Sequence, residues 1–472
     1  MIRPKIGVLV FSESLVREDV YKKRKPISDR EVKRFVTSLE TDVDIVWPEA
    51  REIRSKKQAV QSAREIGAAQ VDAVVLYVPI FVAPALVAHT ANLLHVPIAL
   101  ACNEAEDSLS QLVFLAAAGA LDQIGLRYLR VPGDAVEKTN RDILVSFLRA
   151  AAAKQRLRGQ TYGCIGGRSL GISTGTADVA LWESIFAVDI EHVDQFEIAY
   201  RAERLDEETV KKHVDWLMER TGTVDFNESN FTPPHLEKQV RSYIATRDIC
   251  EHYELDFAGV KCQPEMSNGY CLQCINVAIS NDPFDADGDK EPVPTSCEAD
   301  ADGALTMQIL KLLSGGRPTS LNDIAWMTAR EMTLANCGSM AFYFAGLSPD
   351  LKKNLKEVSL VPHSFGEAGG ASTQFTVPAG NKMTFARLFR TKSQYTLGVL
   401  TGNTVEKDRA KQSPTIQVRP LIFVDMNIDK EQFLSSFGSN HIHAVEGDLK
   451  SELKAFAELL EIEFIDYDLP TG

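Results

Sequence analysis

The first 155 residues alternate short β-branched runs with segments of helical periodicity, and this alternation leaves few possible folds. The β-branched runs are 5–11, 43–46, 73–77 and 97–101, and the helical segments are 57–69, 83–94 and 108–124. Strands that alternate with helices along a chain form a parallel sheet with helices on its faces. The sequence therefore predicts an N-terminal α/β domain at 1–155.

The remaining residues divide into two further predicted domains. At 156–323 the strand-like segments 161–165 and 256–260 alternate with helical segments at 208–218, 234–253, 270–280 and 303–313. At 324–472 the strand-like segments 332–336, 374–377, 382–389 and 395–401 follow one another without helices, before a closing helix at 450–460 and a strand at 463–467. Such a run of strands is typical of an antiparallel sheet. The predicted fold class is α/β, with two parallel-sheet α/β domains followed by a mainly antiparallel β C-terminal domain.

Charge and cysteine content restrict the protein's partners and location. The formal net charge of −14 argues against binding to nucleic acid or anionic membranes, since both need basic surfaces. The basic run at 22–25 (KKRK) is short and is predicted to lie in a solvated loop. No stretch has the roughly 20 apolar residues of a membrane helix, and the apolar start is too short for a signal peptide. Eight cysteines lack the density of a disulfide scaffold, so we expect a cytoplasmic protein.

Three clusters of polar residues could carry chemistry. Residues 297–302 (CEADAD) precede a predicted helix, where carboxylates interact favourably with the helix dipole and simple capping is one interpretation. Residues 322–323 (ND) taken alone indicate a turn and cap. Residues 439–443 (SNHIH) place two histidines beside an asparagine and near two acids, which favours a ligand or proton-transfer role.

Taken together, the clusters resemble a known family pattern. The segment 296–323 resembles the part of L-fucose isomerases that places a metal-binding Glu before a helix and a metal-binding Asp after it. Glu298 and Asp323 fall on those positions, 25 residues apart. The tripeptide 439–441 (SNH) resembles the family's small-Asn-His motif, whose His is the third ligand, and 450–467 resembles its closing helix and strand. The resemblance to the L-fucose/L-arabinose isomerase superfamily covers most of the chain.

The resemblance implies a site and a reaction. Glu298, Asp323 and His441 would bind a divalent cation, and Glu298 and Asp323 would also serve as the acid/base pair. An aldose–ketose isomerase moves a proton between C1 and C2 of an open-chain sugar through an enediolate, and the cation acts as a Lewis acid on the carbonyl. Mixed oxygen and nitrogen ligands suit Mn²⁺, with Mg²⁺ or Co²⁺ as alternatives.

Other positions have less defined roles. Gln263 sits where the family has a substrate-contacting Gln, and Asn440 would bind sugar hydroxyls or orient His441. A packed histidine is favoured over a fourth ligand for His443, because the motif match stops at His441. His363, before a Gly-rich turn, is aligned with a metal-site His of the arabinose isomerases. Many short relatives carry a His where this chain has Asn336, which leaves open whether this substitution alters the substrate or abolishes activity.

The predicted function is a metal-dependent aldose–ketose isomerase acting on L-fucose, arabinose or a related sugar. A sugar epimerase with the same metal site is one alternative, and a non-catalytic sugar-binding or regulatory protein is another. The three ligands are expected to converge between the second and third predicted domains, since interdomain clefts are common ligand sites. The resemblance implies a homo-oligomer, trimeric or hexameric, in which the first domain of a neighbouring subunit closes the pocket.

Overall fold

A computed structural model describes residues 3–13 and 16–470. The chain forms two compact units. One runs up to Gln155 and also includes Ser451–Leu459, and the other comprises Arg156–Lys450 and the residues from Leu460 onward. The division into three domains, with a boundary at 323 inside the second of these units, stays a prediction.

The first unit is built on a parallel five-stranded sheet. Its strands and helices are β1 (Lys5–Val10), α1 (Glu18–Leu39), β2 (Asp44–Val46), α2 (Lys56–Ala68), β3 (Ala73–Tyr77), α3 (Pro84–Ala91), β4 (Ile98–Cys102), α4 (Ser110–Gln123), β5 (Leu129–Asp134) and α5 (Lys138–Leu157). The strand order is β2-β1-β3-β4-β5, and every pairing is parallel. Separate buried apolar clusters involve alternate residues of the strands, so both faces of the sheet are covered. The prediction of a parallel α/β sheet here is confirmed.

Helix α1 corrects one expectation from the sequence. The basic run at 22–25, predicted to be a loop, lies within this helix. The helix buries Tyr21, Ser28, Phe35 and Leu39, a spacing that places one face against the sheet and leaves the basic residues toward solvent. A charged run on the exposed face of an amphipathic helix has the same composition as a solvated loop, which is why the sequence reading failed.

The second unit begins with another parallel sheet. Its elements are β6 (Thr161–Ile165), α6 (Val179–Phe186), β7 (Asp189–Val193), α7 (Phe196–Ala202), α8 (Glu207–Arg220), β8 (Thr223–Val224), α9 (Pro233–His252), β9 (Phe257–Val260), α10 (Glu265–Gly269), α11 (Cys274–Asn281), β10 (Phe284–Asp285), β11 (Gly288–Asp289), β12 (Thr295–Cys297) and α12 (Ala301–Ser314). The parallel sheet has the order β12-β9-β6-β7. The carboxyl ends of β9 and β12 are therefore neighbours at one edge.

A seven-stranded sheet completes the second unit. The elements in this part of the chain are β13 (Ser320–Met327), β14 (Glu331–Ala335), α13 (Leu351–Lys356), β15 (Ser359–Pro362), β16 (Ala371–Gln374), β17 (Lys382–Thr391), β18 (Gln394–Thr404), α14 (Pro414–Gln417), β19 (Leu421–Met426), α15 (Lys430–Ser436), β20 (His441–Glu446), α16 (Lys450–Leu460) and β21 (Glu463–Asp466). Of these, α16 belongs to the first unit except for its two end residues. The order is β17-β20-β13-β14-β19-β18-β21, and β17 also pairs with β18. Only the β18–β21 pairing among these is parallel, so the predicted antiparallel C-terminal sheet is confirmed.

Helix α12 joins the two sheets of the second unit. It packs against β9 and β12 of the parallel sheet and against β17 and β20 of the seven-stranded sheet. The loop entering α12 therefore lies where the carboxyl edge of one sheet meets the other. Across residues 3–13 and 16–470, the helices are all too short or too polar to cross a membrane.

Candidate metal-binding active site

Glu298 is presented by a strained turn between β12 and α12. Glu298 and Ala299 have φ angles of 61° and 51°, in the left-handed region that side chains other than glycine seldom adopt. The amide of Ala299 donates to the carbonyl of Val260 at 3.2 Å, which ties the turn to the end of β9. Asp300 then caps α12, since its Oδ1 accepts from the amide of Gly303 at 2.9 Å. Backbone strain of this kind concentrates at functional sites.

Asp323 and His441 come from adjacent strands of the seven-stranded sheet. They are directly paired partners in the antiparallel ladder of β13 and β20. Directly paired residues project to the same face of a sheet, so the two side chains meet although 118 residues separate them. His441 is almost fully buried, whereas 40% of the Asp323 side chain is exposed.

The structure brings the three predicted ligands together. Nε2 of His441 lies 3.4 Å from Oε2 of Glu298 and 3.5 Å from Oδ1 of Asp323. Oε2 of Glu298 is buried and has no hydrogen-bond partner. The two carboxylates flank the imidazole without forming a group whose three ligand atoms all lie within 4.8 Å. Two oxygens and one nitrogen, one of them an orphaned buried carboxylate oxygen, are a donor set that fits a divalent cation.

Asp300 supports the histidine from behind. Nδ1 of His441 donates to Oδ2 of Asp300 at 2.7 Å, which leaves Nε2 facing the two predicted carboxylate ligands. The same oxygen accepts from the fully buried guanidinium of Arg387 at 2.5 Å. Burial raises the pKa of Asp300, but the Arg387 charge and the His441 hydrogen bond outweigh it and hold that pKa well below its usual range. A carboxylate behind a metal-binding histidine is a common device for fixing the ring and its tautomer.

Sequence reasoning missed the roles of Asp300 and Arg387. Asp300 was assigned only to helix capping, a role that it also performs. The one available signal was its place in the acidic run two residues after Glu298. Arg387 lies inside β17, far from every cluster in the sequence, and nothing in its neighbourhood pointed to it.

The electrostatics of the site follow from burial and from these contacts. Burial lowers the pKa of His441, but its interactions with Asp300, Glu298 and Asp323 outweigh this effect and raise it to about 10. The position between the carboxylates therefore attracts positive charge strongly. Burial also raises the pKa of Asp323 to about 6; the charge of His441 opposes this rise and that of Glu298 adds to it. Asp323 can thus exchange a proton near neutral pH.

The two predicted substrate-binding residues lie beside the ligands. Nδ2 of the exposed Asn440 donates to Oδ1 of Asp323 at 3.3 Å, so Asn440 orients that carboxylate. Gln263 follows β9 and is half-buried, and β9 pairs with β12 so that Val260 is opposite Cys297. Gln263 and Glu298 therefore leave neighbouring strands at the same edge, although no side-chain contact joins them.

His443 and His363 are both buried, and they differ in their hydrogen bonds. His443 is fully buried, neither ring nitrogen has a hydrogen-bond partner, and burial holds its pKa well below its usual range. A Cβ on Gly303 would stand 2.6 Å from Nε2 of His443, so the ring packs against the start of α12. Nδ1 of His363 accepts from the amide of Phe365 at 2.9 Å, and its Nε2 donates to the carbonyl of Cys337 at 2.7 Å. Both nitrogens of His363 are therefore occupied.

Asn336 organises a turn after β14. Its Oδ1 accepts from the amides of Gly338 and Ser339, and its Nδ2 donates to the carbonyl of Leu321. The side chain is buried and joins β14 to β13 two residues before Asp323. Asn336 therefore has a structural role at the edge of the site.

A second histidine–carboxylate group lies elsewhere in this unit. The ligand atoms of His213, Asp285 and Asp287 all lie within 4.8 Å of one another. Arg247 donates to both carboxylates, at 3.2 and 2.7 Å, and Nζ of Lys212 lies 2.5 Å from Asp287. Two fixed cationic side chains already neutralise the two acids, so this group has little need of a cation.

Comparison with known proteins relates the chain to sugar isomerases. Residues 334–468 match the family "L-fucose isomerase, C-terminal domain". A sulfoquinovose isomerase of Alkalicoccus urumqiensis is 21% identical over 346 residues, covering 71% of each chain. An L-fucose isomerase of Clostridium perfringens is 23% identical over 445 residues, covering 76% of this chain and 75% of that protein.

A solved periplasmic solute binding protein of an ABC transporter from Actinobacillus succinogenes, with bound D-allose, is 11% identical over 67% of this chain and 93% of its own. Its TM-score of 0.17 is too low to support any structural relationship. Residues 334–468 match the C-terminal domain of L-fucose isomerases, and two sugar isomerases align with the chain over most of their length. The chain is therefore similar to the L-fucose isomerase-like superfamily.

Proposed function

We propose that this protein is a metal-dependent aldose–ketose isomerase that acts on an open-chain sugar through an enediolate. The observation that carries the proposal is the position of Nε2 of His441, 3.4 Å from Glu298 and 3.5 Å from Asp323, with its Nδ1 bonded to Asp300. The relatives' names support an isomerase and give no support to the epimerase or the non-catalytic protein.

Glu298, Asp323 and His441 would hold the cation. Mixed oxygen and nitrogen donors favour Mn²⁺, with Mg²⁺ and Co²⁺ as alternatives. When bound, the cation would supply Lewis-acid polarisation of the sugar carbonyl. Asp300 would keep the imidazole in the tautomer that binds metal through Nε2, because its carboxylate takes the Nδ1 proton as a hydrogen bond.

The two carboxylates would move the proton between C1 and C2. Asn440 holds Oδ1 of Asp323 at 3.3 Å, which leaves Oδ2 to take or return a proton. Glu298, on the other side of the imidazole, would serve the neighbouring carbon or its oxygen. Gln263 and Asn440 would bind the sugar hydroxyls from the edges of the two sheets.

The substrate's charge is a separate part of the proposal. Related proteins are named for L-fucose, a neutral deoxy sugar, and for sulfoquinovose, which carries a sulfonate. Residue Arg419 is nine-tenths buried, its guanidinium lies 4.9 Å from the ring centre of Phe365, and its buried Nε has no hydrogen-bond partner. Burial raises the pKa of Asp323 and the charge of Arg419 opposes this rise, so Arg419 acts within the electrostatic field of the site. A buried arginine with an unbonded Nε favours a sugar with an anionic substituent.

Assembly and location remain part of the same proposal. We expect a cytoplasmic homo-oligomer, trimeric or hexameric, in which a neighbouring subunit closes the pocket. Light scattering on the purified full chain measures this directly. A monomer that is fully active would contradict it.

The deciding experiment is NMR of sugars in D₂O with metal-stripped protein reloaded with Mn²⁺. L-fucose, L-arabinose and sulfoquinovose are each followed for ketose formation and deuterium entry at C1 or C2. We expect metal-dependent exchange that is lost in Glu298→Gln and kept in Glu431→Gln, an exposed acid in the first turn of α15. Metal-loaded protein that exchanges none of these sugars, or a Glu298→Gln variant with full turnover, would overturn the proposal.

Arg419→Gln separates the substrate classes in the same assay. We expect it to raise KM for sulfoquinovose about tenfold and to leave L-fucose little affected, because only the anionic sugar loses a charged partner. Equal losses for both sugars would show that Arg419 is structural.

A further inference from the structure

Two cysteines that the proposed reaction does not use lie in contact beside Glu298. Cys297 is the last residue of β12, and Cys337 is the second residue after β14. Their Sγ atoms are 3.1 Å apart, and both thiols are free. Cys297 is buried, whereas residue Cys337 as a whole is half-buried, so Cys337 is the member of the pair nearer to solvent.

The pair needs little movement to become covalently linked. A disulfide has an S–S distance of about 2.05 Å, so the two sulfurs must approach by about 1 Å. The two cysteines sit at the ends of strands in different sheets, where both chains are leaving their ladders. A link between them would therefore join the parallel sheet to the seven-stranded sheet at the edge of the site.

Cys274 is the one serious competitor of Cys297. Its Sγ lies 3.7 Å from the carbonyl oxygen of Cys337, and its thiol also interacts with the Cys337 thiol. Cys262 accepts a hydrogen bond from the amide of Gln273, and Cys271 contacts the hydroxyl of a serine on α9. Both of these thiols are buried and engaged elsewhere. We favour Cys297 over Cys274 because the sulfur of Cys297 lies 3.1 Å from that of Cys337.

We infer that Cys337 and Cys297 form an oxidation site at which hydrogen peroxide converts the dithiol to a disulfide. The sulfur of Cys337 attacks one peroxide oxygen, an S–O bond forms, the O–O bond breaks, and the other oxygen leaves as water with the thiol proton. The sulfur of Cys297 then attacks the sulfenic acid, the S–S bond forms, and the oxygen leaves as a second water with the Cys297 proton. Two thiols lose two electrons and one peroxide gains them.

The link would act on Glu298 because Cys297 immediately precedes it. The turn at Glu298 and Ala299 holds two successive left-handed residues and is sensitive to displacement of its first strand. Drawing Cys297 toward Cys337 would shift the Glu298 carboxylate relative to His441. This consequence rests on the proposed isomerase function, whereas formation of the disulfide does not.

The experiment treats the full-length protein with a small molar excess of hydrogen peroxide, blocks the remaining thiols with N-ethylmaleimide, and maps the digest by mass spectrometry. We expect one cross-linked pair of peptides, containing Cys297 and Cys337, that dithiothreitol separates. Cys274→Ser is the matched control and should form the same link. In Cys297→Ser the Cys337 sulfur should stop at the sulfenic acid, which dimedone traps.

Several outcomes would overturn the inference. A link from Cys337 to Cys274, or eight unmodified cysteines at peroxide levels that oxidise a surface thiol, would each do so. Turnover should fall about 10²-fold on oxidation and return with dithiothreitol, since displacements of about 1 Å can cost that much. Full turnover in the cross-linked protein would overturn the inferred effect on Glu298. If the cross-link forms but the protein isomerises no sugar, the oxidation site is supported and the proposed isomerase function is contradicted.

Discussion

The two histidine–carboxylate groups of the second unit are similar in composition and opposite in electrostatics. In the first, Glu298 and Asp323 flank His441, and the acid behind the ring, Asp300, is the one paired with an arginine. In the second, around His213, both acids that face the ring are held by Arg247 and Lys212. The tighter group is therefore the one whose charges are already balanced. The comparison teaches that uncompensated charge, more than proximity, indicates where a cation belongs.

The two histidine rings also differ in the group that their Nδ1 atoms contact. Nδ1 of His441 donates to a carboxylate, which increases the basicity of Nε2. Nδ1 of His213 bonds to the backbone carbonyl of Thr209 one turn earlier in its own helix. His213 is thus tied to local helix structure, whereas His441 is tied to a residue 141 positions away.

The strongest test of this comparison replaces each histidine by asparagine. His441→Asn should abolish stoichiometric Mn²⁺ binding and reduce kcat by about 10²-fold or more, because a ligand and the carboxylate-held ring are both lost. His213→Asn should change neither. Mn²⁺ bound per chain is measured by equilibrium dialysis of metal-stripped protein, alongside the NMR assay. The comparison is contradicted if His213→Asn loses the bound Mn²⁺ and His441→Asn keeps it.

A smaller effect on Mn²⁺ binding is expected when one acid that is paired with an arginine is substituted in each group. Asp300→Asn should weaken Mn²⁺ binding about 10- to 100-fold, since it removes the carboxylate that orients His441. It should also lower the thermal midpoint, because Arg387 loses its buried counter-charge. Asp287→Asn is the matched substitution in the second group and should leave Mn²⁺ affinity unchanged. The Mn²⁺ affinity of both variants is measured by calorimetric titration. If Asp300→Asn binds Mn²⁺ as tightly as the wild type does, Asp300 does not support the metal site.

The smallest expected effect is a pH dependence of the free energy of unfolding. It arises from Asp282, which lies three residues before Asp285 of the second group. Asp282 is fully buried, and burial raises its pKa to about 7 although the amides of Phe342 and Tyr343 donate to it. A folded-state pKa above the unfolded value means that the stabilising contribution is complete at low pH and is lost as the pH rises to about 7. The free energy of unfolding should thus fall by about 1 kcal/mol from pH 6 to pH 7.

Urea unfolding of the wild type and Asp282→Asn measures this contribution. The asparagine variant should lose that part of the pH dependence even if it is less stable overall. Burial lowers the pKa of the nearby Lys290 to about 8, so its own titration contributes mainly above this range. An unchanged slope in Asp282→Asn would assign the pH dependence to other groups.

Much of the fold followed from local pattern. The strands at 73–77 and 161–165 and the closing helix at 450–460 have the predicted bounds. The two strands are short, almost continuously buried runs, and the helix has a helical pattern of buried residues. The long helices α1 and α5 were missed. In α1 the exposed face is charged and apolar residues are sparse, whereas α5 has an apolar run that the sequence analysis did not assign. The strand predicted at 374–377 lies at Ala371–Gln374, because the sheet that it joins is formed with β15.

The candidate site divides in the same way. Three polar clusters drew attention in the sequence, and the resemblance to L-fucose isomerases identified Glu298, Asp323 and His441 within them. The sequence analysis assigned no strand to the cluster at 439–443, but residues from His441 onward form β20, which pairs with β13 and β17. Arg419 and Cys337 drew no attention, since an isolated arginine or cysteine in a loop has no pattern of its own.

Local residue order thus determined the alternation of strands and helices, the switch to an antiparallel sheet, and the identity of the three candidate ligands. Tertiary structure decided which side chains meet. The pairing of β13 with β20 and the packing of α12 against β20 join Asp300 to His441 and Arg387 to Asp300. The physical reason is that periodicity records which face of an element is buried, whereas a hydrogen bond between residues more than eighty positions apart depends on strand register and helix packing that no local segment contains.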